Sequence, residues 1–148
     1  MIPGHVVGIE ARKLIRSAVT RVATATTLVL VVAISAGGYA AATLAPDTQV
    51  GTKAAGLMTT VGWPGLTGLA AMGTGVAVLL AAGIVASWLV GREFTDGTVV
   101  GLFALPVGPG TIALAKLLVI AAWSAALAVA SGALTALAGI CLGLPVTG

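Results

Sequence analysis

Charged residues are scarce in this chain of 148 residues. Only 7% of its residues are Asp, Glu, Lys or Arg, whereas 59% are hydrophobic and the mean hydropathy is +1.16. A soluble domain carries about 25% charged residues. The composition therefore excludes a soluble globular protein and indicates an integral membrane protein.

Cysteine and histidine are represented by one residue each, Cys141 and His5. A single thiol cannot form an internal disulfide, and a lone histidine with no second ligand at a suitable spacing does not make a metal site. Cys141 lies in an apolar run, which is typical of a small buried or lipid-facing side chain. We therefore expect no disulfide and no metal centre.

Motifs for nucleotide binding and catalysis are missing as well. The sequence has no G-x-x-x-x-G-K-[ST] loop, the motif that holds the phosphates of ATP in P-loop proteins. The confident spans carry no carboxylate for a proton relay, and their Ser and Thr hydroxyls can bond to their own helix backbone. We expect no catalytic residue and no cofactor bound by this chain.

Three long uncharged runs, at residues 22–45, 63–90 and 117–144, predict three transmembrane helices, and we expect the third helix to extend over residues 112–144. Each run exceeds the roughly 20 residues that cross a bilayer. A signal peptide is the alternative for the first run, but that run is longer than the roughly 7–15 residues of a signal core. Trp63 and Trp88 lie near the ends of the second run, as expected for aromatic anchors at the headgroup level. The predicted fold class is an all-α, three-span membrane protein.

Residues 9–22 have the periodicity of an amphipathic helix. At 100° per residue, the apolar side chains share a sector of about 100°; they are Ala11, Leu14, Ile15, Ala18 and Val22. The charged side chains lie opposite and comprise Glu10, Arg12, Lys13, Arg16 and Arg21. A basic amphipathic helix next to a span tends to lie in the membrane interface with its cations toward anionic headgroups. The alternative is a charged flank that only sets the topology.

The small net charge of +3 is too dilute for a nucleic-acid surface. It is better interpreted through the positive-inside rule. With three spans, six of the seven basic residues fall on one side and only Lys53 falls on the other; the six are Arg12, Lys13, Arg16, Arg21, Arg92 and Lys116. The N-terminus and residues 91–116 are therefore predicted to be cytoplasmic, and the C-terminus is predicted to be outside.

Residues 91–116 connect the second and third spans and cannot form one regular helix. Residues 97–115 are uncharged but contain Pro106, Pro109 and four glycines. We expect a short helix over residues 98–105 that ends at Pro106 and is capped by Thr95 or Asp96. One interpretation is a re-entry loop resting on the headgroups. The other is a rigid, partly apolar docking helix presented to a cytosolic partner.

The pattern in this segment resembles the central segment of the type-two ABC transporter permeases. The matching residues are Glu93, Gly97, Thr98, Leu102, Leu105, Pro106, Ala115 and Lys116. The preceding basic helix resembles the interfacial elbow helix of that family. The resemblance departs at Gly108 and Pro109, where a Ser-Arg type pair is common, and in length, because such permeases usually have more than three spans. By that measure the chain looks like an N-terminal half, from a truncated or a split permease.

The resemblance implies that the short helix is a coupling helix that fits a cleft on a separate cytosolic ABC ATPase subunit, which binds the ATP. The implied ATPase-coupling residues are Arg92, Glu93, Gly97, Thr98, Leu102, Phe103, Pro106 and Lys116, and the expected membrane-interface residues are Arg12, Lys13, Arg16, Arg21, Trp63 and Trp88. A second permease copy or a C-terminal half is the other implied partner. The implied function is the permease subunit of an exporter in the plasma membrane.

A different class of function stays open on the sequence alone. A small helical membrane protein outside the ABC families, acting as a scaffold or assembly subunit or as a small carrier, has the same composition and spans. Association with an ATPase subunit distinguishes the two hypotheses.

Overall fold

The computed structural model describes residues 4–95 and 109–145. In chain order, the helices are α1 (Gly4–Arg16), α2 (Ala18–Val32), a π-helical turn (Ala33–Gly37), α3 (Gly38–Leu44), α4 (Gln49–Leu57), α5 (Trp63–Thr95) and α6 (Pro109–Cys141). No β-strand occurs in the described residues. The predicted all-α class is confirmed.

Among the described residues, three stretches of helix are long and apolar enough to cross a bilayer: Ala18–Leu44, Trp63–Arg92 and Gly110–Cys141. Their mean hydropathies are 1.8, 2.2 and 2.2, and each exceeds the roughly 20 residues that a crossing requires. The chain is therefore a multi-pass membrane protein, as the uncharged runs predicted. The predicted helix over residues 98–105 lies outside the described residues.

The chain divides into two compact units. Unit 1 comprises Met1–Ala25 and Leu80–Ala126, and unit 2 comprises Thr26–Leu79 and Leu127–Gly148. Helices α2, α5 and α6 supply residues to both units, whereas α1 belongs to unit 1 and α3 and α4 belong to unit 2.

Unit 1 is built on a small apolar cluster that joins four helices. The buried side chains of Leu14, Val85, Leu89, Val119 and Ile120 form its centre. Trp123 packs against this cluster, and its Nε1–H donates a hydrogen bond of 3.2 Å to the Thr24 hydroxyl. Because indole N–H groups need a partner when they leave water, this bond fixes α6 against the start of α2.

The predicted helix over residues 9–22 is divided in the structure. Helix α1 ends at Arg16, Ser17 is not helical, and α2 begins at Ala18. The Ser17 hydroxyl accepts a hydrogen bond of 3.3 Å from the backbone N–H of Thr20, which is the bond that a helix N-cap makes. Ser17 therefore starts the first span as a separate helix, which the apolar periodicity did not indicate.

In unit 2, the first span contains a π-helical turn at Ala33–Gly37. The buried Ser35 hydroxyl in this turn donates a 2.7 Å hydrogen bond to the Val31 carbonyl. Such bonds back to the preceding turn satisfy the hydroxyl inside a membrane helix. A Cβ on Gly73 of α5 would lie 3.1 Å from the Ile34 side chain, so α5 approaches the π-helical turn closely.

The first connection between spans forms the short helix α4. Thr48 caps it, because its hydroxyl accepts a 3.0 Å hydrogen bond from the N–H of Gly51. A side chain at Gly51 would collide with the Ala41 and Ala45 carbonyls of the preceding helical turn. Glycine therefore permits α4 to fold tightly back on α3.

Helix α6 ends in a glycine C-cap. Gly143 has a φ of +71°, its N–H bonds to the Ile140 carbonyl at 3.0 Å, and the Leu144 N–H bonds to the Gly139 carbonyl at 3.1 Å. This pair of bonds is the Schellman motif. In the G-x-x-x-G pair of Gly139 and Gly143, the second glycine therefore serves to end the helix.

Candidate functional site

Glu10 of α1 lies between two lysines of unit 1. Its Oε2 is 3.0 Å from Nζ of Lys116 in α6, and its Oε1 is 2.9 Å from Nζ of Lys13, three residues further along α1. Each lysine donates a charge-assisted hydrogen bond to one carboxylate oxygen. The arrangement connects the first helix of the chain to the start of the last one.

The Glu10–Lys116 pair is buried. Glu10 is 4% exposed and Lys116 is 6% exposed. Two charges removed from water lose hydration energy, and a close, hydrogen-bonded geometry is needed to offset that loss. Removing one partner of such a pair leaves an uncompensated charge, so the two residues depend on each other for the folded state.

The environment of Glu10 changes the pKa of its carboxyl group in two opposing ways. Burial raises the pKa, because the charged form is poorly solvated there. The hydrogen bonds and positive charges of Lys13 and Lys116 lower it and prevail, so the net pKa lies below the ordinary value of 4.5. Glu10 is therefore held as a carboxylate.

Glu10 does not lie on the exposed face that the periodicity predicted for it. It is buried on the same face as Leu14 and Ser17, whereas the apolar Ile15 and Val22 are 69% and 64% exposed. In lipid, apolar side chains gain nothing by facing the protein interior, and polar ones are placed there. The placement of Glu10 with the cations, opposite the apolar side chains, was therefore wrong, whereas the predicted position of this helix in the membrane interface stays a prediction.

A signal for the ion pair was present in the sequence. Glu10 is the first acidic residue of the chain, and no other precedes Asp47. Lys116 is the sole charge after Asp96. A lone charge inside an apolar helix is expected to have a partner, and the third candidate span, Gly110–Cys141, includes Lys116.

Arg92 lies near the end of α5, and its guanidinium carbon is 5.4 Å from the centre of the Trp88 ring. This is the distance of a cation–π interaction. Trp88 is half-buried against the apolar cluster of unit 1. Its role as a headgroup anchor stays a prediction, but its ring now has two identified contacts inside the protein.

Four basic side chains of unit 1 line one surface cavity of about 450 Å³, which we call the basic cavity. Its lining residues are Ile9, Arg12, Lys13, Arg16, Ser17 and Arg92. The sequence placed three of these cations on a common helix face, but it did not bring Arg92 to them. Arg21, the fourth predicted interface cation of the N-terminal region, is exposed outside the cavity.

The predicted coupling residues are only partly within the described chain. Arg92 and Glu93 belong to α5, which continues to Thr95, and Lys116 belongs to α6. The remaining coupling residues lie outside the described residues; they are Gly97, Thr98, Leu102, Phe103 and Pro106. The structure therefore describes both borders of the predicted coupling segment.

Unit 2 has a contrasting, uncharged constellation around Trp63. The Trp63 Nε1–H donates a 2.7 Å hydrogen bond to the Pro145 carbonyl, and the Tyr39 hydroxyl accepts a 3.0 Å bond from the N–H of Gly62. Tyr39 also forms a buried cluster with Leu66 and Leu69, against which Trp63 packs. These uncharged contacts join the start of α5 to the segment that follows α6.

Unit 2 also contains a groove of about 460 Å³ between α5 and α6. Its walls are Trp63 and a series of alanine, glycine and threonine residues, namely Thr67, Ala70, Ala71, Thr74, Gly75, Ala128, Gly132, Thr135 and Ala136. Small side chains allow another helix to approach closely in lipid. The groove has the shape and polarity of a helix-packing surface.

Comparison with known proteins identifies the family. The family model described as ABC-2 family transporter protein matches residues 6–148, which is nearly the whole chain. No curated protein and no solved structure gave a match. This agrees with the resemblance of residues 91–116 to type-two ABC permeases. The chain therefore belongs to the ABC-2 transporter family and is a membrane permease component of an ABC transporter.

Proposed function

We propose that this chain is the permease subunit of an ABC exporter, and that a separate cytosolic ATPase subunit drives it by docking on residues 91–116. Family membership gives the permease role. The observation that carries the docking proposal is the anchoring of both borders of the segment in unit 1. Arg92 stacks on Trp88 at one border, and Lys116 is paired with buried Glu10 at the other.

The contacts of Arg92 and Lys116 provide a path by which a movement of the ATPase is transmitted to the membrane helices. A force on residues 91–116 acts directly on α5 and α6, because α5 ends and α6 begins within this segment. The Glu10–Lys116 pair passes the same displacement to α1, and Ser17 links α1 to the first span. All three spans then move with the ATPase, as alternating access by rigid elements requires.

The proposed orientation puts unit 1 at the cytoplasmic side of the plasma membrane. Six of the seven basic residues of the chain belong to unit 1, and only Lys53 belongs to unit 2. An excess of Lys and Arg in short loops marks the cytoplasmic side. The N-terminus and the docking segment are then cytoplasmic, and the C-terminus is outside. Export is the direction implied by the resemblance of the docking segment.

In this role the chain itself performs no chemical step. ATP is bound and hydrolysed by the partner subunit, and the permease contributes helices to the pathway. Further helices come from a second permease copy or from a C-terminal half. The groove of small residues in unit 2 supports this arrangement, because a helix of such a partner fits against it.

The experiment is co-purification of the tagged chain with its ATPase subunit in mild detergent. Glu93→Ala and Phe103→Ala are each expected to reduce the captured ATPase, or the stimulation of its activity, without changing membrane insertion. The removed groups are a charge and an aromatic anchor, the two kinds of side chain that dominate interfaces.

Matched controls come from unit 2. Asp47→Ala removes a carboxylate and Leu57→Ala removes an exposed apolar side chain, and both are expected to leave capture unchanged. Full capture by both Glu93→Ala and Phe103→Ala, or equal losses in the controls, would contradict docking on residues 91–116.

A further inference from the structure

The basic cavity of unit 1 concentrates positive charge at one point of the surface. Arg12 and Arg16 are one helical turn apart on α1, so their side chains are neighbours. Lys13 and Arg92 complete the lining. Arg92 adds a cation from a different helix, so the charge converges on a cavity and is not spread along α1.

Two of the cations that line this cavity have unused hydrogen-bond donors within the described part of the chain. No ion pair joins Arg12 or Arg16 to a carboxylate among the described residues. Glu10 is engaged by Lys13 and Lys116 and is buried away from the surface. Two guanidinium groups with unused donors form a strong site for a phosphate, which they can hold through paired hydrogen bonds.

The surroundings of the cavity match a membrane lipid better than a soluble anion. Ile9 lines the cavity and is 54% exposed, and Ile15 on the same helix is also exposed. The first candidate span begins at Ala18, directly after the lining residue Ser17. The cations therefore lie where a span enters the bilayer, and apolar side chains for an acyl chain are next to them.

We propose that the basic cavity is a defined binding site for the phosphate of an anionic phospholipid headgroup, held by Arg12, Arg16 and Arg92. Basic pockets between membrane helices are known to bind such headgroups. The site differs from a general attraction of basic residues to the membrane, because it excludes Arg21. It also joins α1 to the end of α5, so a bound lipid connects these two helices of unit 1.

The test measures lipid binding by the full chain alone, in detergent, so its outcome does not depend on an ATPase partner. Native mass spectrometry counts short-chain phosphatidylglycerol retained by the protein, with phosphatidylcholine as the zwitterionic comparison. Arg16→Gln and Arg92→Gln are each expected to weaken phosphatidylglycerol binding about fivefold, as loss of one cation near a headgroup implies. Arg21→Gln is the matched control with the same charge change outside the cavity, and it is expected to bind as the wild type does.

Further arms separate the alternatives and guard against a loss of folding. Arg16→Lys keeps the charge and is expected to retain more binding than Arg16→Gln; equal loss in both, with a lowered melting temperature, would attribute the effect to folding and overturn the site. Equal weakening by Arg21→Gln would overturn it in favour of diffuse attraction. Glycerol phosphate that competes as well as the lipid would indicate a soluble-anion site. Unchanged lipid binding with lost ATPase capture in Arg16→Gln would make the cavity a protein-docking surface instead.

Discussion

Different physical contacts stabilise each of the two units of this permease component. In unit 1, charge dominates: a buried Glu10–Lys116 pair, an arginine on a tryptophan ring and a cavity lined by four cations. In unit 2, close backbone approach dominates, at Gly51, Gly73 and Gly139, with neutral hydrogen bonds from Gly62 and Trp63. Each unit has a small apolar cluster, but the polar contacts around that cluster differ in kind.

The difference indicates a division of labour along the spans. Charged contacts respond to pH, to lipid headgroups and to charged partners, whereas steric contacts between glycines and rings respond to none of these. We infer that unit 1 is the part of the chain that receives signals and forces. Among its described residues, unit 2 has no ion pair that such conditions could alter.

The largest expected effect is an all-or-none difference in labelling between residues 103 and 141, which tests the proposed membrane orientation. Cys141 is the sole cysteine and is exposed at the end of α6 in unit 2. An impermeant maleimide is expected to label it in intact cells. In a Cys141→Ser background, Phe103→Cys is expected to be labelled only after the membrane is permeabilised. Labelling of residue 103 in intact cells would contradict both the orientation and the ATPase docking.

The largest expected change in stability comes from the ion pair of unit 1. Lys116→Met removes one partner of a buried pair and leaves the Glu10 carboxylate with Lys13 alone, whose side chain is 44% exposed. We expect a loss of about 3 kcal/mol in the free energy of unfolding, as is typical when a buried pair is broken. Thermal unfolding in detergent, followed by circular dichroism, measures it.

Two variants show whether the effect belongs to the pair. Lys53→Met removes an exposed lysine of α4 in unit 2 and is expected to change stability by less than about 0.5 kcal/mol. The double variant Glu10→Leu with Lys116→Met removes both charges and is expected to recover most of the loss. A double variant as unstable as Lys116→Met would show that the lysine acts through packing and not through Glu10.

These contacts also show which features of the fold could be predicted from the sequence. Long uncharged runs predicted the three spans because hydrophobic length is a property of single segments. The periodicity of residues 9–22 placed Glu10 among the cations and did not indicate its burial, because a helical period takes no account of the partner that α6 supplies. Glu10 was therefore assigned to the wrong face, although all four of its cationic neighbours in sequence were recognised.

The candidate site needed information that single segments do not carry. Glu10 and Lys116 are separated by 106 residues, and no local sequence pattern around either residue predicts that they pair. Arg92 was recognised as part of a docking segment, but its approach to the cations of α1 depends on how α5 packs in unit 1. Ser17 is an exception, because a serine before a helix is a local signal for an N-cap and the break was predictable in principle.

A glycine substitution tests the close steric contacts of unit 2. A Cβ on Gly139 would lie 2.6 Å from the Trp63 ring and 2.9 Å from the Leu66 side chain. Gly139→Ala is therefore expected to cost about 1–3 kcal/mol, as overpacking of a close contact does, and the loss should not depend on pH. Gly132→Ala on the same helix adds a Cβ with no atom within 4 Å and is expected to be neutral or to stabilise by about 0.5–1 kcal/mol. Equal effects of the two variants in thermal unfolding would mean that α6 does not pack on Trp63 as described.

The smallest expected effect is the pH dependence of unit 1, because burial of Glu10 opposes the two lysines. The folded pKa of Glu10 lies below its ordinary value of 4.5, so the unfolded chain binds the proton more tightly. The stabilisation is then fully present above the ordinary value and is lost as the pH falls through the lowered folded pKa.

The measurement is the melting temperature of wild type and Glu10→Gln between neutral pH and pH values below that range. Wild type is expected to lose its advantage over Glu10→Gln on acidification, since the substituted side chain has no proton to bind. A constant difference between the melting temperatures of the two proteins across that range would show that the lysines do not hold Glu10 in its charged form. The distinction between a charge-dependent unit 1 and a charge-independent unit 2 would then rest on Arg92 and the basic cavity alone.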